Sequence, residues 1–220
     1  MVYLATKMEQ AVFAWEFVYR KYLEAGLIPP NDFGVHIMPM AIHPKVAILV
    51  SDLATATIYP WRTPCECAFE GEVAEIRNDG RTVVEVGSLA SDSLSALMDV
   101  FRHAYHYARK IGATDILCEA KESQAIVYQR VFGFKLISER NECRFVGGAD
   151  AFGLRLRLDI AEIDLSRKGI KAFWKTPLPV FPDARLILDW KSIEGTVADR
   201  YFRSGVSFCE TCEENDKCFY

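Results

Sequence analysis

Glu85 is a carboxyl set inside an apolar run, TVVEVGSLA over residues 82–90. Tyr128 is a phenol one turn before a helical stretch halts on Phe132-Gly133-Phe134. These two features stand together as plain packing or as one wall of an active site. Desolvation disfavours a charged carboxyl, so an acid in an apolar strand is pushed toward neutrality, where it can take a proton from an amine. Two plainer readings stand beside that one: an edge acid turned to solvent, or the partner of a core arginine. Tyr128 equally reads as an amphipathic core residue whose hydroxyl reaches the surface. Gly133 lets the helix end abruptly, and Phe132 and Phe134 anchor the two sides of the turn.

The elements that must hold these residues follow from apolar spacing. Val12, Trp15, Val18, Tyr19 and Tyr22, with Leu23 beside them, mark an amphipathic helix over residues 9–25, stopped by Gly26 and Pro29-Pro30. Strands are expected over 35–40 and over 45–58 with a break near Asp52, then a loop over 60–68 and a short helix over 69–77. Residues 82–90 are a strand, and Ser91 or Asp92 is the expected N-cap of a helix over 93–110 with Leu94, Leu97, Met98, Phe101, Tyr105 and Ala108 on one face. A strand over 115–120, a helix over 123–131 and a strand over 134–139 come next, and a closing pair over 143–147 and 154–160. Strand and helix alternate from Thr82 onward, which predicts an α/β fold with helices covering a central sheet. Past Ile160 the pattern loosens, and KTPLPVFPD over 175–183 is too rich in proline for regular structure. The expected organisation is one domain over 1–160 and a C-terminal extension over 161–220.

Half of the 220 residues are hydrophobic and a quarter charged, with a net charge of −4. That balance suits a globular core and argues against a general nucleic-acid binder. No N-terminal leader and no membrane-length apolar run is visible, so the expected location is cytoplasmic, without stable membrane insertion. The seven cysteines are Cys65, Cys67, Cys118, Cys143, Cys209, Cys212 and Cys218. An odd count reads as thiols, not as a disulfide framework. Cys209, Cys212 and Cys218 fall short of four zinc ligands, and all four histidines lie far upstream, so no metal is expected. Cys118, in a buried strand, reads as inert packing.

The segments VVEVGSLAS, TDILCEA and AIVYQRVFGFKLISER, in that order, resemble the GNAT acyltransferase superfamily. Within it the chain is similar to the N-acyl amino acid synthases, relatives of the acyl-homoserine-lactone autoinducer synthases. The resemblance runs over residues 9–160 and includes FVYRKYLEAGLI followed by Pro29, Pro30 and Asn31, the strand Glu85-Val86-Gly87-Ser88-Leu89-Ala90, the exit Tyr128 to Phe134, and the turn Gly147-Gly148-Ala149.

The resemblance implies a mixed central sheet splayed in its middle and flanked by helices. It implies transfer of a long-chain acyl group from a thioester to the amine of an amino acid or similar small molecule, with no tightly bound cofactor. Glu85 would be the general base and Tyr128 the proton donor to the departing sulfur, while main-chain N–H groups of Ser88, Leu89 and Ala90 would hold the carbonyl oxygen. The acyl-phosphopantetheine co-substrate is either acyl-CoA or acyl carrier protein. Ser88 to Leu94 has no glycine pair for a pyrophosphate, and Asp92 places a negative charge there, which favours the carrier protein. Arg102, His106 and Arg109 lie on one helical stripe that could dock such an acidic carrier, or could simply be a solvated face. Arg20 and Lys21 are candidates for the acceptor carboxylate, with solvation as the plainer account. A CoA-dependent acetyltransferase and a non-catalytic carrier-binding module are the alternatives.

Overall fold

The computed structural model describes residues 1–42, 45–60, 69–141, 151–159, 174, 178 and 188–204. Seven strands are present: β1 (Tyr3–Leu4), β2 (Ala47–Ser51), β3 (Ala54–Tyr59), β4 (Val83–Ser91), β5 (Asp115–Ala120), β6 (Lys135–Asn141) and β7 (Phe152–Arg157). They form one sheet in the order β1-β2-β3-β4-β5-β7-β6. Its helices are α1 (Met8–Glu24), α2 (Glu70–Asn78), α3 (Leu94–Lys110), α4 (Glu122–Val127), which runs on through a wider turn at Tyr128–Phe132, and α5 (Val197–Arg203). The β4–β5 pair is parallel and the other neighbours are antiparallel. This is the mixed, helix-flanked sheet that the alternation of elements predicts.

β2 and β3 form a hairpin closed by Ser51, whose hydroxyl accepts from Ala54 N–H at 3.0 Å. Every residue of both strands is buried, because α1 covers one face of the sheet and α3 the other. A strand covered on both sides has no exposed face to mark with polar residues: β2 reads Ala-Ile-Leu-Val, and β3 buries Thr55 and Thr57 as well, the Thr55 hydroxyl donating to the Leu49 carbonyl at 2.9 Å. The α3 side holds Phe101, Tyr105, Phe132 and Phe134, and Trp174 packs among them with its ring 4.5 Å from that of Tyr105. On the α1 side, Trp15, Ile48 and Tyr59 pack with Leu188, Ala198 and Tyr201. A smaller cluster under α2 joins Phe69 and Val73 to Val83 and Leu117.

Three expectations change. Residues 35–40 are not a strand: Val35, Ile37 and Met38 are buried in extended chain that enters a 3-10 turn at Pro39–Ile42. The His36 N–H donates to the Trp15 carbonyl of α1 at 3.2 Å, so this segment is tied to a helix and not to the sheet. The N-cap of α3 is Ser93, whose hydroxyl accepts from Ala96 N–H at 3.2 Å. Ser91 is still in β4, and Asp92 N–H is drawn to the Leu53 carbonyl at 2.8 Å. The buried stripe of α1 is Met8, Ala11, Trp15 and Val18, so the helix presents its alanines inward, with Leu23 exposed.

The turn Gly147-Gly148-Ala149, all cysteines except Cys118, and most of the proline-rich stretch lie outside the described residues. Cys118 is a buried free thiol.

Candidate active site

β4 and β5 run side by side only at their starts. Their pairing covers Val83↔Asp115, Val84↔Ile116 and Glu85↔Leu117, and goes no further. The closed end of this V is clamped by Asp115, a fully buried carboxylate that accepts from Arg81, from Arg155 Nε at 2.8 Å and from the Thr114 hydroxyl at 2.7 Å. On its other edge β4 pairs with β3, but two residues, Ser88 and Leu89, stand against the single Ala56. This is a β-bulge, which bends its strand and takes backbone groups out of the ladder. Ser88 sits at φ 44°, in the left-handed region that non-glycine residues rarely occupy. A 2.8 Å hydrogen bond between the Ser88 and Tyr59 hydroxyls helps to hold it there.

Alternation along β4 assigns the faces. Val84 and Val86 pack toward α3, and Val83 packs with Leu117 under α2. Glu85 therefore belongs to the α1/α2 face, directly opposite Tyr59 in the β3 register, and is 1% exposed. Gly87 leaves room beside it: a Cβ there would lie 3.0 Å from the Tyr59 ring and 3.7 Å from Glu85 Oε1. Tyr128 belongs to the other face, its ring edge-on to Phe101 at 5.2 Å. The two side chains come from opposite sides of the sheet and both line the cleft where the strands part, a space of about 800 Å³ including its mouth.

Burial sets the protonation of the walls. It pushes the Tyr128 phenol well above its ordinary value, and Cys118 and Tyr22 add to the effect, so Tyr128 stays a hydrogen-bond donor at neutral pH. Burial raises the Cys118 thiol in the same way, helped by the charges of Glu85 and Glu119, which leaves it protonated and a poor nucleophile. His36, on the wall from the α1 side, is lowered by burial to about 4 and is a neutral imidazole.

From the cleft a groove continues to the surface between the end of α1, the end of β4 and the first turn of α3. The two spaces share Tyr22, Leu27, Leu89, Gln124 and Tyr128 as lining. At the outer end, Lys21 pairs with Asp92 at 2.7 Å and with Glu24 at 2.9 Å.

Of the residues singled out in the sequence, Glu85, Ser88, Leu89 and Tyr128 line the cleft, and Ala90 lines the adjoining groove. Arg102, His106 and Arg109 stand on later turns of α3, whereas the groove takes Leu94 and Leu97 from its start. Arg102 pairs with Asp99 at 2.8 Å, and Arg109 donates to the Tyr105 hydroxyl at 3.1 Å. Burial lowers the pKa of His106, and the charges of Arg109 and Arg102 lower it further. Arg20 is exposed, with its guanidinium 5.0 Å from the Phe17 ring, outside the cleft lining. Sequence reasoning passed over His36, Tyr59, Lys121 and Gln124. None carried a usable local signal, and Tyr59 stands opposite Glu85 only through the β3–β4 register.

The profile of N-acyl amino acid synthase FeeM matches residues 14–157, more than half of the chain. The chain belongs to the FeeM N-acyl amino acid synthase family. Among solved structures, the FeeM synthase from uncultured soil microbes superposes with a TM-score of 0.64 at 17% identity, over 74% of this chain and 92% of that one. A CoA-dependent acyl-homoserine lactone synthase, BjaI, solved with SAM and isopentyl-CoA, gives 0.55 at 10% identity over 84% and 96%. The acetyltransferase yncA of Salmonella typhimurium, solved with acetyl-CoA, gives 0.51 at 16% identity over 72% and 94%. These likenesses establish the GNAT-type fold. A search of curated proteins gives no match. As a member of the FeeM family the chain is an N-acyltransferase. Among the described residues no helix is long and apolar enough to cross a membrane.

Proposed function

We propose that the protein transfers an acyl group from a phosphopantetheine thioester, carried by acyl carrier protein, to the amine of an amino acid. The observation that carries this reading is the cleft at the parting of β4 and β5, with a carboxyl on one face of the sheet and a phenol on the other. The thioester arm enters along the groove beside α3, on the Tyr128 side. The amine arrives on the Glu85 side.

In the reaction the amine nitrogen attacks the thioester carbonyl, a C–N bond forms and the C–S bond breaks. Glu85 takes the amine proton, directly or through water. Main-chain N–H groups released by the bulge at Ser88–Leu89 face the developing oxyanion. Tyr128 donates a hydrogen bond to the leaving sulfur. Its raised pKa limits it to that role: a thiol titrates near about 8.5, so complete transfer from the phenol runs uphill, and the thiolate takes its proton from solvent.

The outer groove supports the carrier protein as donor. Asp92 lies where the phosphates of CoA would approach the start of α3, and its carboxylate already occupies Lys21. The start of α3, not the Arg102–Arg109 stripe, adjoins the groove, and the carrier docks there. CoA is the second reading, favoured because BjaI and MesI, of the same fold, are CoA-dependent synthases. Incubating the purified protein with matched acyl carrier protein and acyl-CoA donors against a panel of amino acids, with mass spectrometry of the products, tests both. N-acyl amino acid formed faster from the carrier is the expected result. Faster transfer from CoA selects the second reading, and no N-acyl product from either donor refutes both.

A further inference from the structure

The cleft holds a charge that acyl transfer by itself does not require. Lys121 lines it, half-buried, four residues past the point where Glu85 pairs with Leu117. We infer that Lys121 is the anchor for the carboxylate of the acceptor, so that an α-amino acid lies between Glu85 at its amine and Lys121 at its carboxylate. This rests on the acyl-transfer reading above.

Three observations support the assignment. Among the described residues Lys121 is the one cation lining the cleft, and its ammonium makes no ion pair with any of them. Its position in the chain does not favour a lysine. Lys121 is the N-cap of α4 and makes no side-chain capping bond. An N-cap needs an acceptor for the orphan N–H groups, and the positive end of a helix repels an ammonium. A residue that costs stability where it stands, on the wall of a substrate cleft, is accounted for by what enters the cleft.

Spacing is the third observation. On β5, Leu117 and Glu119 share the face of Glu85, and Lys121 follows one residue past the end of the strand. Four residues of strand span about 13 Å. Both side chains would have to extend fully toward each other to touch, whereas a small zwitterion with a hydrogen bond at each end bridges them. Glu119, between the two in the chain, is a second carboxyl on the cleft wall. The acceptor is thereby oriented with its ammonium inward and its carboxylate toward Lys121. An amine without a carboxylate offers Lys121 no group to hold.

The test compares an amino acid with its own carboxamide as acceptor, in the full-length wild type and in Lys121→Ser and Lys121→Arg. Wild type is expected to prefer the acid by about tenfold or more in kcat/KM, a typical return for a charge-assisted contact. In Lys121→Ser the preference disappears, with the loss falling on KM for the acid more than on kcat, and Lys121→Arg recovers part of it. Serine is the better cap, so the melting temperature of Lys121→Ser does not fall, which separates binding from folding. An acid-over-amide preference that persists in a folded Lys121→Ser overturns the anchor and leaves the acyl-transfer reading standing. A wild type that acylates no amino acid overturns both.

Discussion

Replacing Asp115 by Asn should loosen the closed end of the V. Asp115 is fully buried and is the first residue of β5 to pair with β4. It accepts from two guanidinium groups, Arg81 and Arg155, and from the Thr114 hydroxyl. Asparagine keeps the shape but turns one acceptor oxygen into an NH₂ that faces a donor, and it removes the charge. Each hydrogen bond to a charged group is worth about 1.5–3 kcal/mol, and a carboxyl at 0% exposure cannot recover them from water. Two such bonds give a loss of about 3–6 kcal/mol, which overlaps the roughly 3–5 kcal/mol found when one partner of a buried pair is removed. Domains of this kind have about 5–15 kcal/mol in total. Urea denaturation followed by fluorescence would show the loss as a lower midpoint with an unchanged slope. Asp159→Asn is the control. Asp159 also meets Arg81, at 2.9 Å, but is about half exposed, so its loss should stay under about 1 kcal/mol. An Asp115→Asn loss under about 1 kcal/mol would refute the idea that this cluster clamps the two strands.

Gly153→Ala should destabilise by about 1–3 kcal/mol, because its Cβ would lie 2.7 Å and 2.9 Å from ring atoms of the buried Phe69, and Phe69→Leu in the same chain should restore part of the loss in thermal melts. Ser88→Val should cost more than about 1 kcal/mol, since a β-branched residue is strained at φ 44°, whereas Ser88→Gly accepts that backbone and loses only the bond to Tyr59. His36 titrates near 4 in the fold against 6.5 when unfolded. Between those values the unfolded chain binds the extra proton, so the stability is present above pH 6.5 and is lost as pH falls toward 4. At about 1.4 kcal/mol per pH unit the full loss is about 3 kcal/mol, and His36→Gln should flatten the pH dependence of the urea midpoint across that window.

The alternation from Val83 to Asn141 was legible because each element there is long enough to show its period, and Gly112 and Gly133, both at positive φ, punctuate it. Glu85 and Tyr128 stood out as candidates because each is a polar group set among apolar neighbours, and the structure brings both to the wall of one cleft. Residues 35–40 were misread because a short apolar run has no period to separate a strand from buried extended chain. β1, two residues long, left no pattern at all. The bulge at Ser88 comes from the register against β3, which no local signal in Gly87-Ser88-Leu89 reports. The role proposed for Lys121 was invisible for a related reason: it depends on a gap between strands, and nothing in its neighbours along the chain encodes that gap. Leu188 and Tyr201 lie more than 150 residues from Trp15, beyond any local periodicity, yet share its core.

In the proposed reaction the parting of β4 and β5 is where an amine meets a thioester, with Glu85 taking the proton. Its most direct test is the single-turnover rate of N-acyl amino acid formation by Glu85→Gln beside wild type, at saturating donor and acceptor and with matching melting curves. A fall of about 10²-fold or more in a folded variant is the result expected for loss of a general base. Transfer at the wild-type rate by folded Glu85→Gln would contradict it.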